Sequence, residues 1–218
     1  MEWNTISPQH IEIALQIDDF DAFAAHRHMA PMPRPIRRPD NLNGSAKLAA
    51  VLLLLFPKDD HLSTVMIKRN EYPGVHSGQI GLPGGRQEDG ETFDMTALRE
   101  TYEELGIQPS HITLIGQLTP IYIPPSDFEV HPFVGYTPQH PTWQPDPNEV
   151  ADIVETPIAA FFDDTLKKNQ EIRVDTFTIT APYYDINGHQ VWGATAIILS
   201  EFEHRLRAVF NGKKPASQ

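Results

Sequence analysis

The chain has 218 residues, of which 40% are hydrophobic and 21% charged, a composition typical of a soluble globular protein with a core of ordinary size. This length exceeds one minimal domain and falls short of two average ones, so we expect one domain with extensions. Cysteine is absent, which excludes disulfides, thiolate nucleophiles and cysteine-ligated zinc, and the formal net charge of −12 argues against a surface for nucleic acid or an anionic membrane.

The sequence also bears on location. Its beginning has no basic segment followed by an apolar stretch, so we expect no secretory signal. The longest apolar run, residues 48–56, has nine residues and is too short to span a bilayer. The lack of cysteine fits a reducing compartment. We therefore expect a cytoplasmic protein.

The N-terminal part of the chain predicts a helix followed by an irregular segment. Residues 8–29 are typical of one helix, although their apolar positions are imperfectly spaced. Residues 31–43 contain four prolines, and each proline removes a backbone donor and restrains its neighbour. The arginines of this segment form either a solvated linker or a patch that meets substrate phosphates. They are Arg34, Arg37 and Arg38.

From Lys47 onward the pattern predicts a mixed α/β domain. Residues 49–56 form a continuous apolar run of strand length, which is typical of a strand buried on both faces. Further strands are predicted at residues 63–69, 111–118, 128–136, 150–156 and 171–180, helices at 92–105, 157–162 and 193–210, and a loop at 137–148, whereas the glycine-rich stretch 74–85 is expected to hold no regular element for long. We divide the chain into an N-terminal helical and proline-rich extension (1–45), a main domain (46–210) and a C-terminal tail (211–218).

The helix predicted at residues 92–105 is unusually acidic on one side. At 100° per residue, its apolar residues fall on one stripe and three carboxylates share a face almost opposite. The stripe consists of Met95, Leu98, Tyr102 and Leu105, and the carboxylates are Glu100, Glu103 and Glu104. If the stripe packs on a sheet, the carboxylates point away from it, into a cleft or into solvent.

Two interpretations of this acidic face remain open. An acidic triplet is often only a solvated helix face. Alternatively, a divalent cation turns the mutual repulsion of the carboxylates into attraction, and all-oxygen ligands suit Mg²⁺ or Mn²⁺ rather than zinc. Arg99 lies one turn before Glu103 and could hold a carboxylate by paired hydrogen bonds. Gly106 ends the helix as a left-handed cap.

These residues resemble the signature of the Nudix hydrolases. The signature positions are occupied in register by Gly85, Glu91, Arg99, Glu100, Glu103, Glu104, Gly106 and Ile107. Thr101 departs, because a bulkier apolar residue is usual there, although threonine still fits a tightly packed face. The resemblance implies an α/β (α+β) Nudix fold, in which a mixed β-sheet is sandwiched between α-helices, here with an N-terminal helical extension. It makes residues 46–210 the Nudix domain.

The resemblance also implies roles for the site residues. Glu100 and Glu104 would ligate the metal, with Glu103 contributing directly or through water and the Gly85 carbonyl completing the set. Arg99 and Glu91 would position these ligands. The metal would neutralise developing charge and lower the pKa of a water that attacks phosphorus.

The general base of this reaction is left open by the sequence. Glu100 is one candidate. Glu149, which follows the proline-rich loop and begins a predicted strand, is another. Its simpler interpretation is a surface loop carboxylate.

A second resemblance concerns the substrate. Residues 65–85 are similar to a motif found upstream of the box in coenzyme A diphosphatases of this superfamily, matching at Arg69, Gly78 and residues 83–85. Departures from that motif are Ile67, Asn70, Gly74 and Leu82. Residues 118–136 and 188–199 are similar to segments of the same subgroup. The reaction implied is cleavage of coenzyme A or acyl-coenzyme A to adenosine 3′,5′-bisphosphate and 4′-phosphopantetheine.

The substrate-binding residues implied by this subgroup are Arg69, His76, Ser77 and Gln79. Each has a simpler interpretation, Arg69 as a charge at a strand end and the others as residues that bond the local backbone. Trp192 is either a core residue or an adenine stacker.

Two other functions remain as alternatives. One is hydrolysis of ADP-ribose or another nucleoside diphosphate derivative, and the other is a non-catalytic nucleotide sensor on a Nudix scaffold. The complete set of glutamates argues against the sensor. In either enzyme the expected partner is a small nucleotide diphosphate, without nucleic acid or membrane, and the protein is a monomer or homodimer.

Overall fold

The structure, a computed structural model, describes residues 3–32, 45–71, 78–174 and 177–212. Its α-helices are α1 (Pro8–Leu15), α2 (Ala22–Met29), α3 (Phe93–Leu105) and α4 (Ala194–Phe210). Its strands are β1 (Lys47–Lys58), β2 (His61–Arg69), β3 (Ile80–Gly81), β4 (Gly84–Arg86), β5 (Thr113–Gln117), β6 (Ile121–Ile123), β7 (Phe128–Tyr136), β8 (Val150–Pro157), β9 (Lys167–Val174), β10 (Phe177–Ile186) and β11 (His189–Trp192). Short 3-10 helices lie at Trp3–Thr5, Pro109–His111, Ile158–Phe162 and Asp164–Leu166. Among the described helices, none is long and apolar enough to cross a membrane.

The chain forms two compact units. The central unit comprises residues 35–157, and the terminal unit comprises residues 1–34 together with 158–218. The division predicted from the sequence, with boundaries at residues 45 and 210, partitions the chain differently and stays a prediction.

A mixed sheet forms the central unit. Strand β1 runs parallel to β7, from the pair Lys47 and Phe128 to the pair Leu55 and Tyr136. The other pairings are antiparallel, and the sheet order is β3-β2-β1-β7-β5, with β4 on β1, β6 on β7 and β8 on β2. Residues 52–56 of β1 are fully buried, which confirms the prediction of a strand covered on both faces. The mixed sheet of the predicted fold class is present.

Helix α3 packs on this sheet by a face that overlaps the predicted apolar stripe only in part. Met95 and Tyr102, from the predicted apolar stripe, are 54% and 44% exposed. Ala97 and Thr101, which lie outside that stripe, are fully buried, and so is Leu105, which belongs to it; Leu98 of the stripe is partly buried against the core. Small side chains let a helix approach a sheet closely, so the packed face extends to Ala97 and Thr101 and leaves only the Met95 and Tyr102 side of the stripe in solvent.

This correction changes where the carboxylates lie. Glu104 stands on the buried side of α3, with a side chain only 1% exposed, whereas that of Glu103 is 53% exposed. The prediction of three carboxylates together opposite the packed face is therefore wrong. Gly106 does cap the helix in the left-handed conformation, at φ 76°, and the Thr101 hydroxyl donates to the Ala97 carbonyl at 2.7 Å.

The terminal unit begins with two helices where one was predicted over residues 8–29. Helix α1 ends at Leu15, and α2 begins after Asp21, whose carboxylate accepts a hydrogen bond from the Ala24 amide at 2.9 Å. An aspartate in this position satisfies an otherwise free donor of the first turn, which favours a new helix start over continuation of the old one.

The strand predicted at residues 171–180 is also two strands. Strands β9, β10 and β11 form an antiparallel sheet in the order β11-β10-β9. Asn187 and Gly188 join β10 to β11, with φ of 53° and 81°. Asn-Gly with both residues at positive φ is the preferred two-residue hairpin turn, so this sequence signal was present and was missed. Helix α4 follows as predicted, and the predicted helix at residues 157–162 is the 3-10 helix Ile158–Phe162.

Candidate active site

Two glycines of β4 allow the acidic helix to approach the sheet. A Cβ on Gly85 would lie 2.4 Å from Oε2 of Glu100, and a Cβ on Gly84 would lie 2.4 Å from the carbonyl oxygen of Ala50. Gly84 also has φ +146°, a conformation that other residues rarely adopt. Its amide donates to Oε2 of Glu104 at 2.8 Å. The β4 backbone therefore forms one wall of the site because it carries no side chains there.

Glu104 is a buried carboxyl with little compensation from cations. Burial raises its pKa to about 7, against the opposing effects of Arg69 and the Gly84 amide. Nη2 of Arg69 lies 3.7 Å from Oε1 of Glu104 and donates to the Gly84 carbonyl at 3.1 Å. The neighbouring charges of Glu100 and Glu149 raise the pKa of Glu104 further. A cation placed beside Glu104 would therefore be strongly favoured.

Arg99 connects the acidic residues around it. Its Nε and Nη2 donate to both oxygens of Glu91, at 2.6 and 3.1 Å. Its Nη1 donates to Glu100 at 2.8 Å and to Glu103 at 2.9 Å, and Nη2 also reaches the Arg86 carbonyl at 3.0 Å. The hydrogen bond from Arg99 is the main cause that lowers the pKa of Glu91 to about 2. Glu91 thus fixes the guanidinium, and the guanidinium fixes Glu100 and Glu103.

Glu100 is half enclosed between this arginine and β4. Burial raises its pKa above the ordinary value, the guanidinium of Arg99 opposes that effect, and the charges of Glu103 and Glu149 reinforce it. Glu149 itself is exposed, in the turn immediately before β8. Its charge acts on both Glu100 and Glu104, so the structure brings Glu149 near the helix carboxylates although 45 residues separate it from Glu104 in the sequence.

The proline-rich loop before Glu149 is bound to the end of α3. The amide of Gln144 donates to the Leu105 carbonyl at 2.9 Å, and the amide of Asp146 donates to the Glu104 carbonyl at 3.1 Å. These contacts satisfy carbonyls that a helix C-terminus leaves free. This docking was not predicted from the sequence, in which its only local signal is Gly106, where a Cβ would lie 2.6 Å from Cβ of Gln144.

The structure describes two of the four predicted substrate-binding residues, Arg69 and Gln79. Arg69 lies at the site, as described above. The Gln79 carbonyl accepts a hydrogen bond from the Arg69 amide at 3.0 Å, which is a loop contact of the simpler kind. His76 and Ser77 lie outside the described residues, as do the arginines at 34, 37 and 38. Trp192 is half-buried in the hairpin of the terminal unit, paired with Tyr183.

Comparison with known protein families identifies the domain that contains this site. Residues 46–176, more than half of the chain, match the NUDIX domain. The chain belongs to the Nudix hydrolase family. The segment that matches includes the sheet of the central unit, α3 and the loop before β8, so the box residues predicted from the sequence lie within it.

Among its Nudix relatives, the chain is 33% identical over 161 residues to Nudix hydrolase 15, mitochondrial, of Arabidopsis thaliana, a match covering 70% of this chain and 56% of that protein. It is 32% identical over 148 residues to the mitochondrial coenzyme A diphosphatase NUDT8 of Homo sapiens, covering 65% of this chain and 61% of that protein. The chain thus spans somewhat more than half the length of these relatives.

The solved Nudix structures agree with the fold. The Nudix hydrolase RenU from M. smegmatis superposes with a TM-score of 0.51 at 15% identity, covering 80% of this chain and 92% of that one. At this identity the likeness concerns the fold alone. Together with the family match, it confirms the predicted Nudix fold class.

Nudix hydrolases generally use divalent metal ions, and the residues of this site suit one. Their oxygen donors match the preference of hard cations. Glu100 lies in a space that a Cβ on Gly85 would fill, and Glu104 is buried with Arg69 3.7 Å away, a cation that does not offset the burial. In the part of the chain that the structure describes, no three acidic or histidine side chains already form a metal-binding group. Glu100 and Glu103 instead face the guanidinium of Arg99, which donates a hydrogen bond to each of them.

Proposed function

We propose that this Nudix chain hydrolyses the diphosphate bond of a nucleotide derivative with the help of Mg²⁺ or Mn²⁺. The observation that carries the proposal is the pair Glu100 and Glu104, two partly or fully buried carboxyls held against a side-chain-free backbone. Burying two acids side by side costs folding energy, and a divalent cation between them would compensate that cost. Glu103 and the Gly85 carbonyl complete the proposed ligand set.

In the proposed mechanism, a bound divalent ion supplies charge neutralisation on the diphosphate and an acidified water. The protein supplies positioning and proton transfer. Glu91 holds Arg99, and Arg99 holds Glu100 and Glu103 in place. Glu149, which is exposed and whose charge acts on Glu100 and Glu104, accepts the proton of the attacking water. Glu100 is the alternative base, but its bond to Arg99 and its enclosure make it the weaker candidate.

Arg69 is the proposed contact for a substrate phosphate. Its guanidinium is 31% exposed, so it retains donors towards solvent while bonding the Gly84 carbonyl. Gln79, His76 and Ser77 are proposed to line the same side, as the sequence resemblance implies. A local cation of this kind offsets the net charge of −12, which by itself repels a diphosphate.

For the substrate we propose coenzyme A or acyl-coenzyme A. The similarity to a relative named as a coenzyme A diphosphatase supports this choice, as does the resemblance of residues 65–85 to that subgroup. The products would be adenosine 3′,5′-bisphosphate and 4′-phosphopantetheine. A cytoplasmic location also stays a proposal, because both relatives named above are described as mitochondrial. The same holds for a monomeric or homodimeric state.

Substrate competition tests this proposal. Purified protein with Mg²⁺ is incubated separately with coenzyme A and ADP-ribose, and the products are identified by mass. We expect kcat/KM for coenzyme A to be at least about tenfold higher, a difference of about 1.4 kcal/mol in transition-state stabilisation. Faster cleavage of ADP-ribose would overturn the substrate assignment, and nucleotide binding without any turnover would favour the sensor.

A further inference from the structure

Asn70 joins three segments of the central unit immediately after β2. Its amide nitrogen donates to the carbonyl of Glu149 at 3.0 Å, and its carbonyl accepts from the amide of Gly78 at 3.3 Å. Its side-chain Nδ2 donates to the carbonyl of Pro147 at 2.9 Å. The first two contacts use only backbone atoms, so any residue except proline could make them. The contact with Pro147 depends on the asparagine side chain.

The Pro147 carbonyl is a point at which the loop can be held. Proline has no backbone N–H, so its carbonyl is the only main-chain group that can be bonded there. On its other side the loop is bound at the end of α3 through Gln144 and Asp146. The amide of Glu149 then turns back to the carbonyl of Asp146 at 3.1 Å. The short stretch of residues 147–149 is therefore fixed between α3 and Asn70.

The strand pairing beside Asn70 is irregular in a way that orients Glu149. Lys68 pairs with Asp152, but the next residue, Arg69, pairs with Val150, so Ala151 has no partner. An extra residue of this kind bends a strand and redirects the side chains next to it. Glu149 stands just outside this bulge. Its direction consequently depends on the contacts of residues 147–149 more than on regular strand geometry.

The charge of Glu149 reaches the helix carboxylates. Burial has the larger effect on the pKa of Glu100 and of Glu104, and the charge of Glu149 raises the pKa of both. We propose that the side chain of Asn70 is a positioning residue, which fixes the Pro147 carbonyl and thereby directs Glu149 towards Glu100 and Glu104. This inference rests on the proposed function only for the role of Glu149 as the base.

A double-mutant cycle tests whether Asn70 acts through Glu149. The variants are Asn70→Ala, Glu149→Gln and their combination, with kcat and KM measured for coenzyme A and ADP-ribose in Mg²⁺. We expect Glu149→Gln to lower kcat by about 10²-fold or more and Asn70→Ala to lower it about tenfold with little change in KM. The double variant should then be no slower than Glu149→Gln alone, because loss of the positioning contact has no further effect once the base is absent.

If the fold losses of kcat in the two single variants multiply in the double variant, the proposal is overturned, because Asn70 then acts independently of Glu149. Full activity of Glu149→Gln would overturn it as well. Asn70→Asp serves as a matched variant, because it keeps the size of the side chain and removes the donor to Pro147. Its kcat should fall at least as far as that of Asn70→Ala. Wild-type kcat in Asn70→Asp would contradict the role of the side-chain donor.

Hydrogen exchange gives a second readout that does not need turnover. In Asn70→Ala the amides of Glu149 and Val150 should exchange at least about tenfold faster than in the wild type, because the loop opens more readily. Asn169→Ala, an exposed change in the terminal unit, should leave them unchanged. Unchanged exchange in Asn70→Ala overturns the positioning role. A wild type that cleaves neither substrate refutes the proposed function, while the exchange result still decides the anchoring of the loop.

Discussion

At the scale of single residues, Glu104 shows a conflict between stability and the proposed activity. Its side chain is buried, its pKa is raised to about 7 by that burial, and its closest cation is Arg69 at 3.7 Å. A carboxylate in this setting destabilises the folded protein near neutral pH, because removing the charge from water is not fully compensated. Sites that lower the stability of the folded protein in this way are often functional.

Glu104→Gln separates the two effects. The substitution keeps the shape and leaves an oxygen to accept from the Gly84 amide, so the melting temperature without added metal should be unchanged or raised. Turnover with Mg²⁺ should fall at least about 10²-fold if the residue ligates the metal. Thermal unfolding and product assays measure both. Glu88→Gln, at an exposed loop position, is the control and should change neither. An unchanged rate in Glu104→Gln would falsify the assignment of this ligand.

At the scale of elements, the orientation of α3 determines which acids enter the site. The buried face with Ala97, Thr101 and Leu105 places Glu104 against β4 and leaves Met95 in solvent. The stripe predicted from hydrophobicity would have turned the carboxylates away from the sheet. Close packing of a small-residue face against β1 therefore has a direct chemical consequence, because it brings the acids to the glycine backbone.

A pair of substitutions on α3 tests this orientation. Ala97→Leu inserts a larger side chain where the helix meets the sheet and should cost about 1–3 kcal/mol of unfolding free energy. Met95→Ala removes an exposed side chain and should cost no more than about 0.5 kcal/mol. Urea unfolding with both variants gives the comparison. If the two costs were reversed, the helix would be packed by its predicted stripe.

At the scale of the whole molecule, the terminal unit joins the two ends of the chain through a buried polar cluster. Oε2 of Glu201 lies 2.7 Å from Nε2 of His26, and Nε of Arg205 donates to its Oε1 at 2.8 Å. Arg205 also reaches the carbonyls of Ala14 and Ile17, at 3.3 and 3.4 Å. This cluster connects α2 and the end of α1 to α4 across 175 residues of sequence.

The cluster predicts an acid-sensitive contribution to stability. Burial by itself would raise the pKa of Glu201, but the hydrogen bonds from His26 and Arg205 outweigh it and lower the pKa below its ordinary value of 4.5. A carboxyl whose pKa is lower in the folded state stabilises the fold above its unfolded pKa and loses that effect as the pH falls through the folded pKa.

Glu201→Gln should therefore cost about 3–5 kcal/mol at neutral pH, because it leaves the buried guanidinium of Arg205 without its anion. Below pH 4.5 the difference between wild type and variant should shrink as Glu201 becomes protonated. Urea unfolding at several pH values measures it. A difference that stays constant down to the acid unfolding of the wild type contradicts the role of this carboxylate.

Much of the fold was predictable where local pattern decides it. The apolar run of β1, the strand over residues 128–136 and the cap at Gly106 depend on burial or backbone conformation of consecutive residues. For the same reason the spacing of the box from Gly85 to Ile107 was sufficient to indicate the family. Such features need no knowledge of distant contacts, because periodicity and the freedom of glycine are properties of short segments.

The tertiary structure alone decided the features that depend on distant partners. Glu104 receives its hydrogen bond from Gly84, 20 residues away, and Asn70 bonds Pro147, 77 residues away. The angular positions of hydrophobic residues rank the faces of a helix by hydrophobicity. Close packing on the sheet instead buried the small side chains of Ala97 and Thr101, and with them the carboxyl of Glu104. The sequence by itself determined the family and predicted which residues carry the proposed chemistry; long-range packing determined which way those residues face and what holds them there.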